Sequence, residues 1–493
     1  MKIAKKSLAA LLAVTLLLCL LCGCGDNSSQ IKLDPKNPVT ITVWHYYNGA
    51  VMNAFDQLVK EFNETVGLKQ GIIVQGSSMG NVSDLQAAVM AAAKKEVGSQ
   101  EIPNIFASYA DTAYAAEQMG ILADLGSYFT QAELDEYIAA YIDEGRIGNN
   151  GELKIFPIAK STEILMLNET DWQPFATARG YTYTDLATPE GLAVVAKAYY
   201  EWTDAQTPNV ANDGKAFFGR DAIANMFIIG AMQLDAEMIK VKDGTATITV
   251  DKQVMRKIWD TYYLPYISGY FLSAGRYRSD DTKVGDLIAY VGSTSSASYF
   301  PTEVTAGGKT YPVKAYILPP PVFEGGENIM VQQGAGMAVT QSTPEKEYAS
   351  AIFLKWFTDT EVNIRFSALS GYMPVKKEAN NYEVFMSVAS ELKTASGDSV
   401  LQDEISKKTL EVAFAAVNDS QMYTSKAFDG GTNARNILND LLQNKAVADR
   451  KAVLALIATG QTHAAAVAQY STEANFETWY ADLNSQLQKT LEK

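Results

Sequence analysis

The chain has 493 residues, 41 basic against 56 acidic side chains, a net charge of −15, and 47% hydrophobic residues. A balance this acidic argues against nucleic acid and against electrostatic adhesion to anionic lipid. A chain this long implies two domains, with cores large enough to stand without disulfides. The three cysteines all precede residue 25, and the two histidines are His45 and His463. That excludes cysteine catalysis, thiolate metal sites and histidine-rich metal sites in the folded body. With no D-x-[DN]-x-[DN]-G loop for calcium either, neither a metal nor a cofactor is expected.

At the start of the chain, Lys2, Lys5 and Lys6 precede an apolar run from Leu8 to Cys22. The run is about fifteen residues, the length of a signal-peptide core and short of the ~20 needed to span a bilayer. Leu21-Cys22-Gly23-Cys24 closes it with a small residue directly before a cysteine, which resembles the lipobox of bacterial lipoproteins. The resemblance implies that residues 1–23 are a lipoprotein signal, cleaved so that Cys24 carries acyl chains. Cys22 departs from the Ala, Ser or Thr of the pattern, and an ordinary cleaved signal is the alternative. Loss of the three lysines with no acids would take the net charge from −15 to −18. Two acyl chains suffice for stable anchoring, which puts the protein on the extracytoplasmic face of the cell membrane. Residues 24–37, polar and without periodicity from Asp26 on, read as the tether.

Thr40-Ile41-Thr42-Val43-Trp44 alternates as a strand. A helix follows, with Val51, Phe55, Leu58, Phe62 and Val66 on one face and Gly67 as its stop. Residues 71–75 form the next strand, 83–97 a helix, 103–107 a third strand and 111–119 another helix. This alternation implies a parallel sheet in an α/β fold. Residues 185–300 read as mainly helical. Residues 313–318 read as extended, ending at Pro319 to Pro321, which stiffen whatever they join. A strand-like 329–339 leads to a helix capped by Thr343 with Pro344 at its first position. Gly371-Tyr372-Met373-Pro374 is a break, and Phe476, Tyr480, Leu483 and Leu487 mark a docked terminal helix.

Two readings of the chemistry compete. Gly76-Ser77-Ser78-Met79-Gly80 satisfies G-x-S-x-G between a strand and a helix, so Ser78 with the distant His463 would suit a secreted serine hydrolase. The same glycines and serines suit a binding loop whose exposed N–H groups attract polar ligands. Trp44-His45-Tyr46-Tyr47 closes the first strand, at the end that faces the ligand crevice of a parallel sheet. Trp44, Tyr46 and Tyr47 would stack there on a sugar ring, although about half of such a run fills core. Ser108, Tyr109 and Asp111 follow the third strand with the same geometry. Ser161, Thr162 and Glu163 sit between two extended segments where the chain crosses lobes. Ser293, Ser295 and Ser296 belong to a hydroxyl-rich turn able to donate several hydrogen bonds to one solute, or simply to a solvated loop.

The lipobox together with "VTITVWHYYNGAVMNAFDQLVKEFNETVG", "PNIFASYAD", "FPIAKSTEILMLNET", "GAGMAVTQSTPEKEYASAIFLKWFTD" and "GYMPV" resembles the family-1 extracellular solute-binding proteins of bacterial ABC importers. The likeness covers about residues 38–380. It implies two α/β lobes in a periplasmic-binding-protein-like fold, with a hinge, an interlobe ligand cleft and delivery to a membrane permease without chemical change. The first lobe would hold 38–158 and 323–369, the second 159–322 and 370–493. The family's glycerol 3-phosphate binder has a serine-threonine pair like Ser161-Thr162 and a serine-rich turn like Ser293 to Ser296. It also has a glycine near Gly334 and Gly336, a G-Y-x-P segment carrying Tyr372, and a late phosphate-gripping arginine matched by Arg435. Ser78 stands where that binder has a tyrosine. A neutral sugar or oligosaccharide and glycerol 3-phosphate therefore both stand as the expected solute.

Overall fold

The computed structural model describes residues 31–148, 150–242, 245–393 and 404–492. Cys24, the signal 1–23 and the start of the tether lie outside the described residues. Two main sheets organise the described residues, each with its own apolar core. The first sheet runs in the order 72–78, 39–45, 105–108, 336–339, 155–156. Strand Val39–His45 pairs parallel to its two neighbours, as the alternation of strands and helices predicts, whereas Gly336–Val339 runs antiparallel between its own two.

Helix Gly49–Glu64 lays Phe55, Leu58 and Phe62 on that sheet. It breaks at Thr65, and a five-residue helix follows that ends at Gly71, in the left-handed region at φ 77°. Gly67 is not the stop. A Cβ there would lie 2.5 Å from the Ile72 carbonyl oxygen, so glycine is needed for close packing instead.

The second sheet runs in the order 315–318, 163–168, 289–293, 218–220. The stretch expected to be mainly helical therefore holds strands Phe218–Arg220 and Ala289–Ser293, as well as the hairpin strands Ile239–Lys242 and Thr245–Ile248. The first two pair with chain far away in sequence, while the hairpin strands pair with each other. Ala289-Tyr290-Val291-Gly292 is buried throughout, so no alternation betrays it. Residues 329–339 likewise form two strands, Ile329–Val331 and Gly336–Val339, separated where the chain passes between sheets.

That passage comes later than the sequence suggests. Phe323 packs in the second core, and the Val322 N–H donates to the Ala187 carbonyl at 3.0 Å. After residue 370 the chain stays with the first body for a time, since Met373 and Val375 lie in the first core. Helices Tyr382–Ala389 and Glu404–Asp419 close a small cluster around Ile364, Phe385 and Phe414. From Phe428 onward it joins the second core, where Leu438, Leu442, Phe476 and Trp479 pack. Among the described residues no helix is long and apolar enough to cross a membrane.

His45 is 1% exposed under Phe55 and Tyr47, and its Nδ1 accepts the Tyr47 N–H at 3.1 Å. Burial holds its pKa down to about 4, so the ring is neutral in the fold. The unfolded chain gains a proton at its ordinary pKa, near 6.5, that the folded chain refuses until pH 4. Stability from this group is complete above pH 6.5 and lost progressively as pH falls towards 4. In His45→Gln, urea unfolding should show the stability change between those pH values shrink, by at most about 3 kcal/mol.

Candidate functional site

The chain crosses between the two sheets at 159–162 and again at 331–335, and the two crossings are bonded to each other. Ser161 and Gln333 exchange backbone hydrogen bonds of 3.0 and 2.9 Å, and Thr162 Oγ1 donates to the Val331 carbonyl at 2.8 Å. Lys160 and Met373 form a second such exchange, and Ile329–Val331 pairs parallel with Gln421–Tyr423. Gly334 adopts φ 97°, and a Cβ there would stand 2.8 Å from the Ala159 carbonyl oxygen, so only glycine lets the crossings lie this close.

A charge is buried at their centre. Lys160 is 1% exposed, and its Nζ donates to Glu144 Oε2 at 2.5 Å and to the Gly334 carbonyl at 2.9 Å. Gln332 Nε2 donates to the same Glu144 carboxylate and to the Ala140 carbonyl. One ammonium thereby ties both crossings to the helix Ala139–Glu144 of the first body.

Beside the crossings lies a cavity of about 520 Å³, walled by residues packed with both sheets. Of the residues singled out from sequence, Tyr109, Asp111, Ser161, Ser293, Ser295, Gly334, Tyr372 and Arg435 line it. Tyr109 stacks on Tyr46, with ring centroids 6.5 Å apart and 18° between planes, so Tyr46 supports the wall without lining it. Burial pushes the Tyr372 phenol up to about 12, with the neighbouring Tyr109 phenol adding to it, which leaves it a protonated donor at neutral pH.

The charges of the cavity are linked across it. Thr432, in the first turn of helix Gly431–Ala458, donates to Asp111 Oδ2 at 3.4 Å. Burial raises the Asp111 pKa, opposed by the Arg435 guanidinium and the Thr432 hydroxyl. Arg435 Nη2 donates to Asn225 Oδ1 at 2.6 Å, and Asn225 Nδ2 donates to Glu163 Oε1 at 2.8 Å. Glu163 in turn pairs with Arg220.

The other expected site residues are placed elsewhere, each for a physical reason. Trp44 and Tyr47 are 5% and 4% exposed and fill the first core, the fate of the inward members of an aromatic run. Ser108, 3% exposed, turns its hydroxyl back onto the Tyr109 carbonyl. Thr162 is spent bracing the crossings, and Glu163, 3% exposed, is held behind the cavity wall by Arg220 and Asn225. Ser296 Oγ donates to the Ser293 carbonyl at 2.6 Å, closing the turn. Gly336 is a close strand approach, where a Cβ would meet Ile155 Cγ2 at 2.5 Å.

Ser78 is exposed at the end of strand Ile72–Ser78 and donates to the Tyr47 carbonyl at 2.8 Å. His463 belongs to the second body, where its Nε2 meets the Ser268 carbonyl at 2.9 Å and its ring stacks on Tyr200. The hydrolase pair is therefore not assembled. The glycines of G-x-S-x-G have packing reasons instead: a Cβ on Gly76 would stand 3.0 Å from Phe55, and Gly80 adopts φ 92°. Among the described residues no group of three or more His, Cys, Asp or Glu could hold a metal ion.

Reading the sequence missed Glu144, Asn225, Gln332, Gln333, Tyr423, Lys426 and Thr432, all of which line the cavity. Only Thr432, three residues from Arg435 in "GGTNAR", carried a local signal.

Removing the Lys160 ammonium would leave Glu144 buried and unpaired. Lys160→Met should cost about 3–5 kcal/mol in urea unfolding, and Lys160→Met with Glu144→Gln should recover much of that loss.

A family model described as bacterial extracellular solute-binding protein matches residues 57–395. No curated protein matches the chain in sequence. Among solved structures, the chain is similar to the cyclic alpha-maltosyl-1,6-maltose binding protein of Arthrobacter globiformis, at 16% identity and TM-score 0.65, covering 92% of this chain and 100% of that one. UgpB from Mycobacterium tuberculosis, in complex with glycerophosphocholine, is similar at 17% identity and TM-score 0.63, covering 92% and 99%. The galacto-N-biose-/lacto-N-biose I-binding protein of Bifidobacterium longum, in complex with lacto-N-biose, is similar at 14% identity and TM-score 0.60, covering 93% and 98%. At such identities these likenesses carry the fold, two α/β lobes with a cleft between them.

Proposed function

The chain belongs to the bacterial extracellular solute-binding proteins, and from that premise we propose that it is the lipid-anchored receptor of an ABC importer for a neutral carbohydrate-class solute. The observation that carries this reading is the interlobe cavity, walled by tyrosines, hydroxyls and amides, whose charges other than that of Lys426 are already engaged. Asp111 faces Arg435 and Thr432, and Glu144 is held by Lys160, so the surface offered to a solute is close to neutral. Tyr109 and Tyr372 supply faces for a sugar ring, while Ser161, Ser293, Ser295, Gln333 and Asn225 supply hydrogen bonds to its hydroxyls.

In this reading the first lobe holds residues from 38 to 158 and the chain from 336 until it rejoins the second core near Phe428. The segments 159–162, 331–335 and 421–423 form the hinge. Closure about it would exclude water and present the loaded form to a permease. The solute passes on chemically unchanged.

A second reading, a glycerol phosphate or its diester, draws support from Arg435 and Lys426 in the wall and from the glycerophosphocholine complex of a similar structure. Thermal unfolding with mono- and oligosaccharides, glycerol 3-phosphate and glycerophosphocholine separates the two. A carbohydrate at 100 times its Kd should stabilise the protein by about 2.7 kcal/mol, and Arg435→Gln should weaken that binding less than tenfold. Stabilisation by the phosphates alone, lost in Arg435→Gln, would establish the second reading instead.

The tether completes the proposal, because a receptor that only binds must stay beside its transporter. Cys24→Ala should move the protein from the membrane fraction to the soluble fraction of cells. A variant that stays membrane-bound would overturn the anchor.

A further inference from the structure

Helix Gly431–Ala458 buries Leu438, Leu442, Ala446 and Val453 in the second core. Near its C-terminal end a different stripe faces outward: Val447, Arg450, Lys451 and Leu454, spaced i, i+3, i+4, i+7 and so on one face. Val447 and Leu454 are 45% and 46% exposed. The stripe forms one wall of a groove of about 620 Å³.

The groove lies away from the interlobe cavity. Asp286 lines the groove just before strand Ala289–Ser293, while Ser293 at the strand's far end lines the cavity. The strand alone, from Ala289 to Ser293, spans roughly 13 Å between the two.

Arg450 is the unexplained group. It is partly sunk, its Nη1 donates to the Ile267 carbonyl at 3.1 Å, and a Cβ on Gly269 would stand 2.2 Å from its Nη2. The fold therefore grips this guanidinium closely. Its electrostatic neighbours are tyrosines, Tyr200, Tyr270 and Tyr266, and burial lowers its pKa. Arg220, Arg278 and Arg365 each hold a carboxylate, whereas Arg146, also partly sunk, bonds the Gly151 carbonyl. Arg450 holds none among the described residues, against the general rule that sunk charges are paired. Lys215 and Lys451 line the same groove, with Asp286 the one carboxylate among the described residues set against the three cations. This excess of positive charge stands on a chain of net charge −15.

We propose that this groove is a second binding site, for a small organic anion. Its carboxylate or phosphate head would sit on Arg450 and Lys451, with an apolar body along Val447 and Leu454. The head supplies the counter-charge that Arg450 lacks, and the body covers aliphatic surface that the helix leaves exposed. The volume matches that of small-molecule sites elsewhere.

Isothermal titration of the folded protein with phenyl phosphate, benzoate and benzyl alcohol tests the site. One of the two anions should bind saturably, at least tenfold more tightly than the neutral alcohol; whichever binds better identifies the head group. Arg450→Gln should weaken that binding at least tenfold. Leu454→Glu, an exposed position whose change leaves the core intact, should do the same by repulsion. Arg435→Gln, in the interlobe cavity, should leave it within twofold. Absence of saturable binding would overturn the proposal. So would equal binding by the Arg450 and Leu454 variants, or loss in Arg435→Gln alone.

Discussion

The structure turns on one buried ammonium. Lys160 cannot sit at 1% exposure without acceptors, and the acceptors it finds come from separate parts of the chain: the Glu144 carboxylate and the Gly334 carbonyl. Satisfying that charge fixes 159–162 against 331–335 and both against the first body. Everything on the floor of the cavity inherits this geometry. Ser161, Gln333 and Gly334 line the cavity because their backbones are held there, and Tyr372 arrives one residue before the Met373 exchange with Lys160.

A second constraint shapes the walls. Across the cavity, Asp111, Arg435, Asn225, Glu163 and Arg220 form an alternating chain of acceptors and donors that starts on one lobe and runs into the other. Such a chain offsets the charges in the wall and holds its polar groups in fixed positions. Arg450, in the groove on the second body, meets no such carboxylate among the described residues, and the contrast sets its groove apart from the cavity.

Much of the first body was legible in the sequence. The Ile41, Val43 alternation and the Phe55, Leu58, Phe62 stripe are local patterns, and local patterns survive folding when one face is buried. The second body was harder, because Ala289–Ser293 is buried on both faces and its partners 163–168 and 218–220 lie far off in sequence. The run 329–339 misled for a related reason: its apolar continuity hid a lobe crossing between Val331 and Gly336. Sequence places residues on strands, but it does not say which sheet a strand joins.

The same division holds for the site. By itself the sequence determined the acidic, cysteine-free body, the α/β alternation of the first body and the strand end before Tyr109 and Asp111, because charge, composition and short-range periodicity are properties of neighbouring residues. Only the tertiary structure decided that Trp44, Tyr47, Ser108 and Glu163 turn inward, and that Ser78 and His463 stand on different lobes. It alone brought Glu144, Asn225, Gln332 and Thr432 to the cavity. Their roles come from contacts between segments tens to hundreds of residues apart, and such contacts exist only once both cores have closed and the buried Lys160 has fixed the crossings between them.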